Sequence, residues 1–118
     1  MISKRNTKSI LFINEENGTH REMDDFARNV HARALYARNV EESIAAFSAR
    51  NIDLVVLNLK SLSDAGILKY INEYHSNTKV IIRTNEIFDS FISVLNAGNF
   101  SVIHEPLKLA ELRKQVLA

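Results

Sequence analysis

The chain has 118 residues, 15 basic against 14 acidic side chains, 46% hydrophobic residues and no cysteine. At this length a fold buries roughly two thirds of the surface its unfolded chain exposes, so a core forms without disulfides or structural zinc, and residues 1–118 are expected to make one domain. A formal charge of +1 supplies no field for nucleic acid or anionic lipid, and no apolar run approaches a membrane span, so neither is an expected partner. Met1 to Lys8 is polar and basic without the apolar stretch of a secretory signal, which makes the cytoplasm the expected compartment.

Ile10 to Ile13 is a short continuous apolar run, the pattern of a strand covered on both faces in a parallel sheet. Thr19 with Glu22 predicts a capping box opening a first helix, on which Met23, Phe26, Ala27 and Val30 recur at i, i+3, i+4 and i+7. Ala32 to Ala37, with Arg33 among small and apolar residues, reads as a strand at an exposed edge. Asn39 and Glu42 repeat the cap ahead of Val40, Ile44 and Phe47 on a second helix. Leu54 to Leu57 is the next central strand, followed by a third helical stripe of Ile67, Leu68, Ile71 and Tyr74 that stops near Asn77. Val80 to Ile82 is a further strand, and Phe88, Phe91, Ile92 and Leu95 form a fourth stripe ended by Gly98. Val102 and Ile103 mark the last strand. Leu109, Leu112 and Val116 make a fifth stripe, opened by Pro106.

Five strand–helix units with short connections and right-handed crossovers predict an α/β fold: a five-stranded parallel sheet of order 2-1-3-4-5, doubly wound with helices on both faces. In such a sheet the functional crevice lies beyond the carboxyl ends of strands one and three. The residues there are Asn14, Glu15 and Glu16 after the first strand, Asn58 after the third, Thr84 at the fourth, and Glu105 after the fifth.

These residues carry a resemblance that covers essentially the whole chain. Ile10-Leu-Phe-Ile-Asn-Glu-Glu16, Asp53-Leu-Val-Val-Leu-Asn-Leu59 with Gly66 beyond it, Val80-Ile-Ile-Arg-Thr84, Ala97-Gly98 and His104-Glu-Pro106 stand in the order found in the receiver domains of bacterial two-component response regulators. The chain resembles that flavodoxin-like, CheY-like family, and the resemblance implies a three-layer sandwich serving signal transduction, with transcription among its outputs. It also marks what differs. Asn58 stands where the family's aspartate accepts a phosphoryl group, and a carboxamide is a poor nucleophile with no charge for magnesium. Asn14 and Glu15 replace an acidic pair, which weakens coordination of a cation that takes hard oxygen ligands. Glu105 stands where a lysine would hold the phosphoryl oxygens, and Val102 replaces an aromatic reporter. Thr84 keeps its family type. The resemblance therefore implies a degenerate pseudo-receiver, a non-enzymatic module working through protein contacts that do not await phosphorylation.

Glu15 and Glu105, if they face one another, repel unless one protonates or a cation intervenes; one reading makes Lys60, two residues past Asn58, the built-in counter-ion, and the competing one leaves Lys60 solvated and the acids pointing apart. The alternative reading keeps a switch with another input: a small ligand, a proton, or a metal held by Glu15 and Glu16. Only Gly18, Gly66 and Gly98 exist, so no G-x-G-x-x-G, P-loop or G-x-S-x-G can be written, and no enzyme or cofactor is expected. His20, His31, His75 and His104 lack paired metal-ligand spacing, and no metal is expected; His104, beside Glu105, is the one to watch as a proton sensor. On the fourth stripe Ile87, Phe88, Phe91, Ile92, Val94 and Leu95 sweep roughly 160°, wider than a core-facing stripe needs. With Val102, and with Phe100 expected in the turn before the last strand, they mark the fourth helix, fifth strand and fifth helix as the surface for a protein partner or a homodimer, as the resemblance also implies; the competing reading buries the wide stripe under neighbouring loops.

Overall fold

The computed structural model describes residues 8–85 and 100–118. Its elements in chain order are β1 (Lys8–Ile13), α1 (His20–Asn29), β2 (Ala32–Ala37), α2 (Val40–Ala49), β3 (Leu54–Asn58), α3 (Gly66–Tyr74), β4 (Lys79–Thr84), β5 (Phe100–His104) and a C-terminal helix, Leu109–Leu117. Single 3₁₀ turns at Asn17–Thr19 and Leu62–Ala65 precede α1 and α3. All strand pairs are parallel, and the order across the sheet is β2-β1-β3-β4-β5.

The continuous apolar runs are explained by the strands' two buried faces. Successive strand residues point to opposite sides. Ile10, Phe12, Val56, Ile81 and Ile103 pack with Met23, Phe26 and Leu112, from α1 and the C-terminal helix. Their neighbours Leu11, Ile13, Val55, Leu57, Val80 and Ile82 pack with Phe47, Ile67, Leu68 and Ile71, from α2 and α3. Each such side chain taken from water stabilises the fold by about 1.5–3 kcal/mol, so the central strands keep their polar residues to their ends. β2 lies at one edge of the sheet, with Arg33 exposed, Ala37 buried and the rest half-buried.

Helix starts follow local chemistry. At α2, Asn39 Oδ1 accepts the Glu42 N–H at 2.9 Å, as expected of the cap. The Glu42 carboxylate turns back to the Arg38 N–H at 2.8 Å and to its guanidinium at 2.9 Å; the bond to the Arg38 side chain holds Glu42 below the usual carboxylate range. A capping box also forms where none was expected: Ser61 and Asp64 close the turn ahead of α3, with the Ser61 N–H 3.0 Å from Asp64 Oδ2.

Four expectations are corrected. Thr19 does not cap α1 through its side chain, because its hydroxyl faces Glu15 and the Glu16 carbonyl instead. Tyr74 is not part of the buried stripe; it ends α3 with 68% of its surface exposed. Phe100 is not in the turn before the last strand but is its first residue, paired with Val80. Pro106 does not open the C-terminal helix, which begins at Leu109; it follows a cis Glu105–Pro106 bond. The fourth stripe, with Ile87, Phe91 and Val94, lies outside the described residues. No helix among the described residues is long and apolar enough to cross a membrane.

Candidate functional site

The parallel sheet delivers the ends of β1, β3, β4 and β5 to one side. There Glu15, Glu16, Asn58, Lys60, Arg83 and Glu105 line a cavity of about 290 Å³. Thr84 joins them, 1% exposed, with its hydroxyl 3.3 Å from the Asn85 carbonyl.

Asn14 belongs to the scaffold of this site rather than its lining. Its backbone is left-handed, φ 66°, a conformation asparagine tolerates better than most residues. Its N–H donates to the Ala37 carbonyl at 2.8 Å, and its Nδ2 donates to the Asn58 carbonyl at 3.1 Å and to Asp64 Oδ2 at 3.2 Å. Asn58, 8% exposed, returns a longer bond from Nδ2 to the Asn14 carbonyl at 3.4 Å. The same Asp64 oxygen accepts the Lys60 N–H at 2.9 Å, so the loop after β3 is tied down at its root. Asn58 thus sits at the strand end as a hydrogen-bonded amide.

The charge in the crevice is organised by Arg83. This residue lies beside Asn58 on β3 and Ile103 on β5 in the strand register. Its side chain is only 11% exposed; Nη1 is ion-paired with Glu15 Oε2, and Nη2 lies 3.0 Å from Glu105 Oε1. One planar guanidinium therefore joins the ends of β1, β4 and β5, which a fork of five fixed donors does better than an ammonium. Glu15 Oε1 faces the Thr19 hydroxyl at 3.2 Å, and the Glu105 N–H donates to the Thr84 carbonyl at 2.9 Å. The Arg83 Nε is buried without a hydrogen-bond partner among the described residues.

Glu15 and Glu105 do converge, but the cation between them is not Lys60. Lys60 pairs with Glu16 at 3.3 Å, where both side chains are largely in solvent. The reason is direction: Arg83 enters the crevice from a central strand flanked by both acids, whereas Lys60 sits in a loop at the rim. Arg83 was the functional residue that pattern reading passed over. The available signal was a lone charge at the end of the buried run Val80–Ile82, since an arginine there requires partners.

Among the described residues lining the cavity, three carboxylates stand against two cations, one negative charge in excess. Among the described residues no group of three or more His, Cys, Asp or Glu side chains is placed to hold a metal ion. Beside the crevice, Tyr36 stacks between Phe12 and His20, with ring centroids 5.6 and 4.0 Å away. Its hydroxyl lies 2.7 Å from Asp24 Oδ1. Burial pushes the Tyr36 phenol up, with the Asp24 hydrogen bond and the Asp24 and Glu15 charges adding to it. Phe100 and Val102 are half-buried and pack against the core cluster that includes Val80 and Ile82.

No family model matches the chain, and no curated protein matches it. Solved structures do. A CheY-like response regulator receiver domain protein from Methanospirillum hungatei JF-1 superposes with a TM-score of 0.80 at 15% identity, covering 95% of this chain and 92% of its own. A two-component response regulator from Clostridium difficile gives 0.78 at 22% identity, over 93% of each chain. A response regulator from Thermotoga maritima gives 0.79 at 21% identity, over 95% of this chain and 96% of its own. At these identities the likeness is one of architecture: five parallel strands in the order 2-1-3-4-5 with their helices, the fold these response regulators share.

Proposed function

We propose that the chain is a doubly wound, single-domain pseudo-receiver: a non-enzymatic, cytoplasmic regulatory module of two-component signalling that acts through protein contacts and does not depend on phosphorylation. The observation that carries this reading is the ion triad of Glu15, Arg83 and Glu105, set beside an amide at Asn58. Phosphoryl transfer to a carboxylate needs an acidic acceptor, a cation and positive charge to receive the transferred group. Asn58 offers no acceptor, and Arg83 is already engaged by two internal carboxylates. A phosphate entering the cleft meets net negative charge. The partner surface is proposed to include β5 and the C-terminal helix, joined to the triad through Glu105.

Incubation with acetyl phosphate and magnesium, read by intact mass spectrometry, is expected to leave the chain unmodified. Magnesium with beryllofluoride is expected to leave the amide resonances of Asn58, Lys60 and Thr84 unmoved. A covalent adduct in the crevice, or shifts centred on Asn58, refutes the reading. Sedimentation over a range of concentrations tests self-association.

The second reading, a switch driven by another input, draws on the open cavity and its unbalanced negative charge. Its metal version is the weaker form, because Glu15 is engaged by Arg83 and Glu16 by Lys60. Titrations with small cations and across pH, followed on the same resonances, separate the two readings.

A further inference from the structure

Of the three glycines in the chain, only Gly18 follows an asparagine, so Asn17-Gly18 is its single Asn-Gly step. Such a step is chemically labile. The side-chain carbonyl carbon of an asparagine stands at the separation from which the next residue's backbone nitrogen can close a cyclic imide on it, and a glycine puts no Cβ in the way. Gly66 and Gly98 offer nothing comparable, since an alanine precedes each.

The fold leaves this step open. Asn17–Thr19 is a single 3₁₀ turn between β1 and α1, a geometry with poor hydrogen bonds and no cooperative support from further turns. It is closed by the Thr19 N–H, which donates to the Glu16 carbonyl at 2.9 Å. Gly18 is exposed, and a side chain at its position would meet nothing within 4 Å. Its N–H donates to no backbone acceptor among the described residues, so the nitrogen is available without first breaking such a bond. Asn14, in the same loop, is the contrast. It is followed by Glu15, 8% exposed, and its Nδ2 is held by the Asn58 carbonyl and by Asp64.

We propose that Asn17 is a self-deamidating site, which turns without an enzyme into a carboxylate at the rim of the crevice. The Gly18 nitrogen gives up its proton to a solvent base and attacks the Asn17 amide carbon. A new N–C bond forms, the bond from that carbon to the amide nitrogen breaks, and this nitrogen takes up a proton and leaves as ammonia. Water then opens the cyclic imide at one carbonyl or the other, which yields aspartate or isoaspartate. Both products add a negative charge at the position after Glu16, and isoaspartate also lengthens the backbone by one carbon atom. Glu16 and Thr19 line the crevice, so the new charge adds to its negative excess. The change also reaches Glu15, whose Oε1 faces the Thr19 hydroxyl at 3.2 Å. This inference stands independently of the pseudo-receiver reading, which asks nothing of Asn17.

The test holds the full chain in warm, mildly alkaline buffer over a time course, followed by intact mass and tryptic mapping. The peptide Ser9–Arg21 contains both Asn14 and Asn17, so fragmentation of one peptide assigns the site. Exchange of NH for O is expected at Asn17, resolved into aspartate and isoaspartate forms, with Asn14 unchanged. The rate is expected to rise with pH, because the attacking nitrogen must lose its proton. Gly18→Ala, which the open space accommodates and whose fold is checked by its amide spectrum, is expected to slow conversion about tenfold by crowding that nitrogen. Asn17→Asp is expected to move the amide resonances of Glu16, Thr19 and Lys60. A constant mass, conversion at Asn14 as fast as at Asn17, or an undiminished rate in Gly18→Ala would overturn the site; unmoved resonances in Asn17→Asp would overturn its link to the crevice.

Discussion

The two ends of the sheet handle charge in opposite ways. At the carboxyl end, the buried guanidinium of Arg83 is clasped by Glu15 and Glu105, so charges are answered inside the protein. At the amino end, Lys8 and Lys79 border the apolar residues Ile10 and Leu54, with no described carboxylate paired to either. The difference follows from depth. A charge held away from water has to be neutralised by neighbours or it destabilises the fold, whereas a charge near the rim is answered by solvent. The crevice is consequently sensitive to loss of one partner, and the far end is not.

The largest expected effect comes from breaking the triad. Arg83→Ala strands Glu15, whose side chain is 1% exposed, and should cost about 3–5 kcal/mol in urea unfolding. The double replacement Arg83→Met with Glu15→Gln removes both charges and should recover most of that loss, since a buried pair replaced by packed neutral groups is often near neutral. If the double variant is as unstable as the single one, the loss comes from packing and not from a stranded charge.

Smaller effects sharpen the contrast. Asn39→Ala removes the side-chain cap of α2, near the crevice end of β2, and should cost about 1 kcal/mol by the same measurement. Lys79→Met, at the far end, removes a bond to a backbone carbonyl and strands no acid, so a change of about 0.5–1.5 kcal/mol is expected. Lys60→Ala should change stability by under about 1 kcal/mol, because its pair with Glu16 is open to solvent. A Lys60 loss matching that of Arg83 would return the role of internal counter-ion to the loop.

Alkaline titration probes the flank of the crevice. The Tyr36 phenol is raised above its ordinary value of 10.0, so the folded state prefers the protonated form. Its contribution is fully present below about pH 10 and is lost as pH climbs from there through the raised value. Tyr36 is expected to ionise above its ordinary value, and in a Tyr36→Phe variant the corresponding late absorbance step should vanish.

Much of the architecture was legible in the chain. Runs such as Leu54 to Leu57 and Val80 to Ile82 are apolar at every position, and only a strand buried on both faces requires that. Asn39 announced α2 because a cap is a contact over three residues. Thr19 carried the same signal and failed, since its hydroxyl found nearer acceptors in Glu15 and Glu16 once β1 and α1 were placed. Tyr74 and Phe100 were misread for a related reason: helical period places a residue on a face but does not say where the face or the strand ends.

The same division explains the crevice. The sequence alone determined which residue types stand at the strand ends, because parallel strands joined by right-handed crossovers send those ends to one side. It determined that Asn58 is an amide and that Glu15 and Glu105 carry like charge. Which cation joins them was decided only by tertiary structure. Arg83 and Lys60 are equally cationic on paper, and the choice between them rests on β4 lying between β3 and β5, which aims one guanidinium into the crevice between two acids distant in the chain.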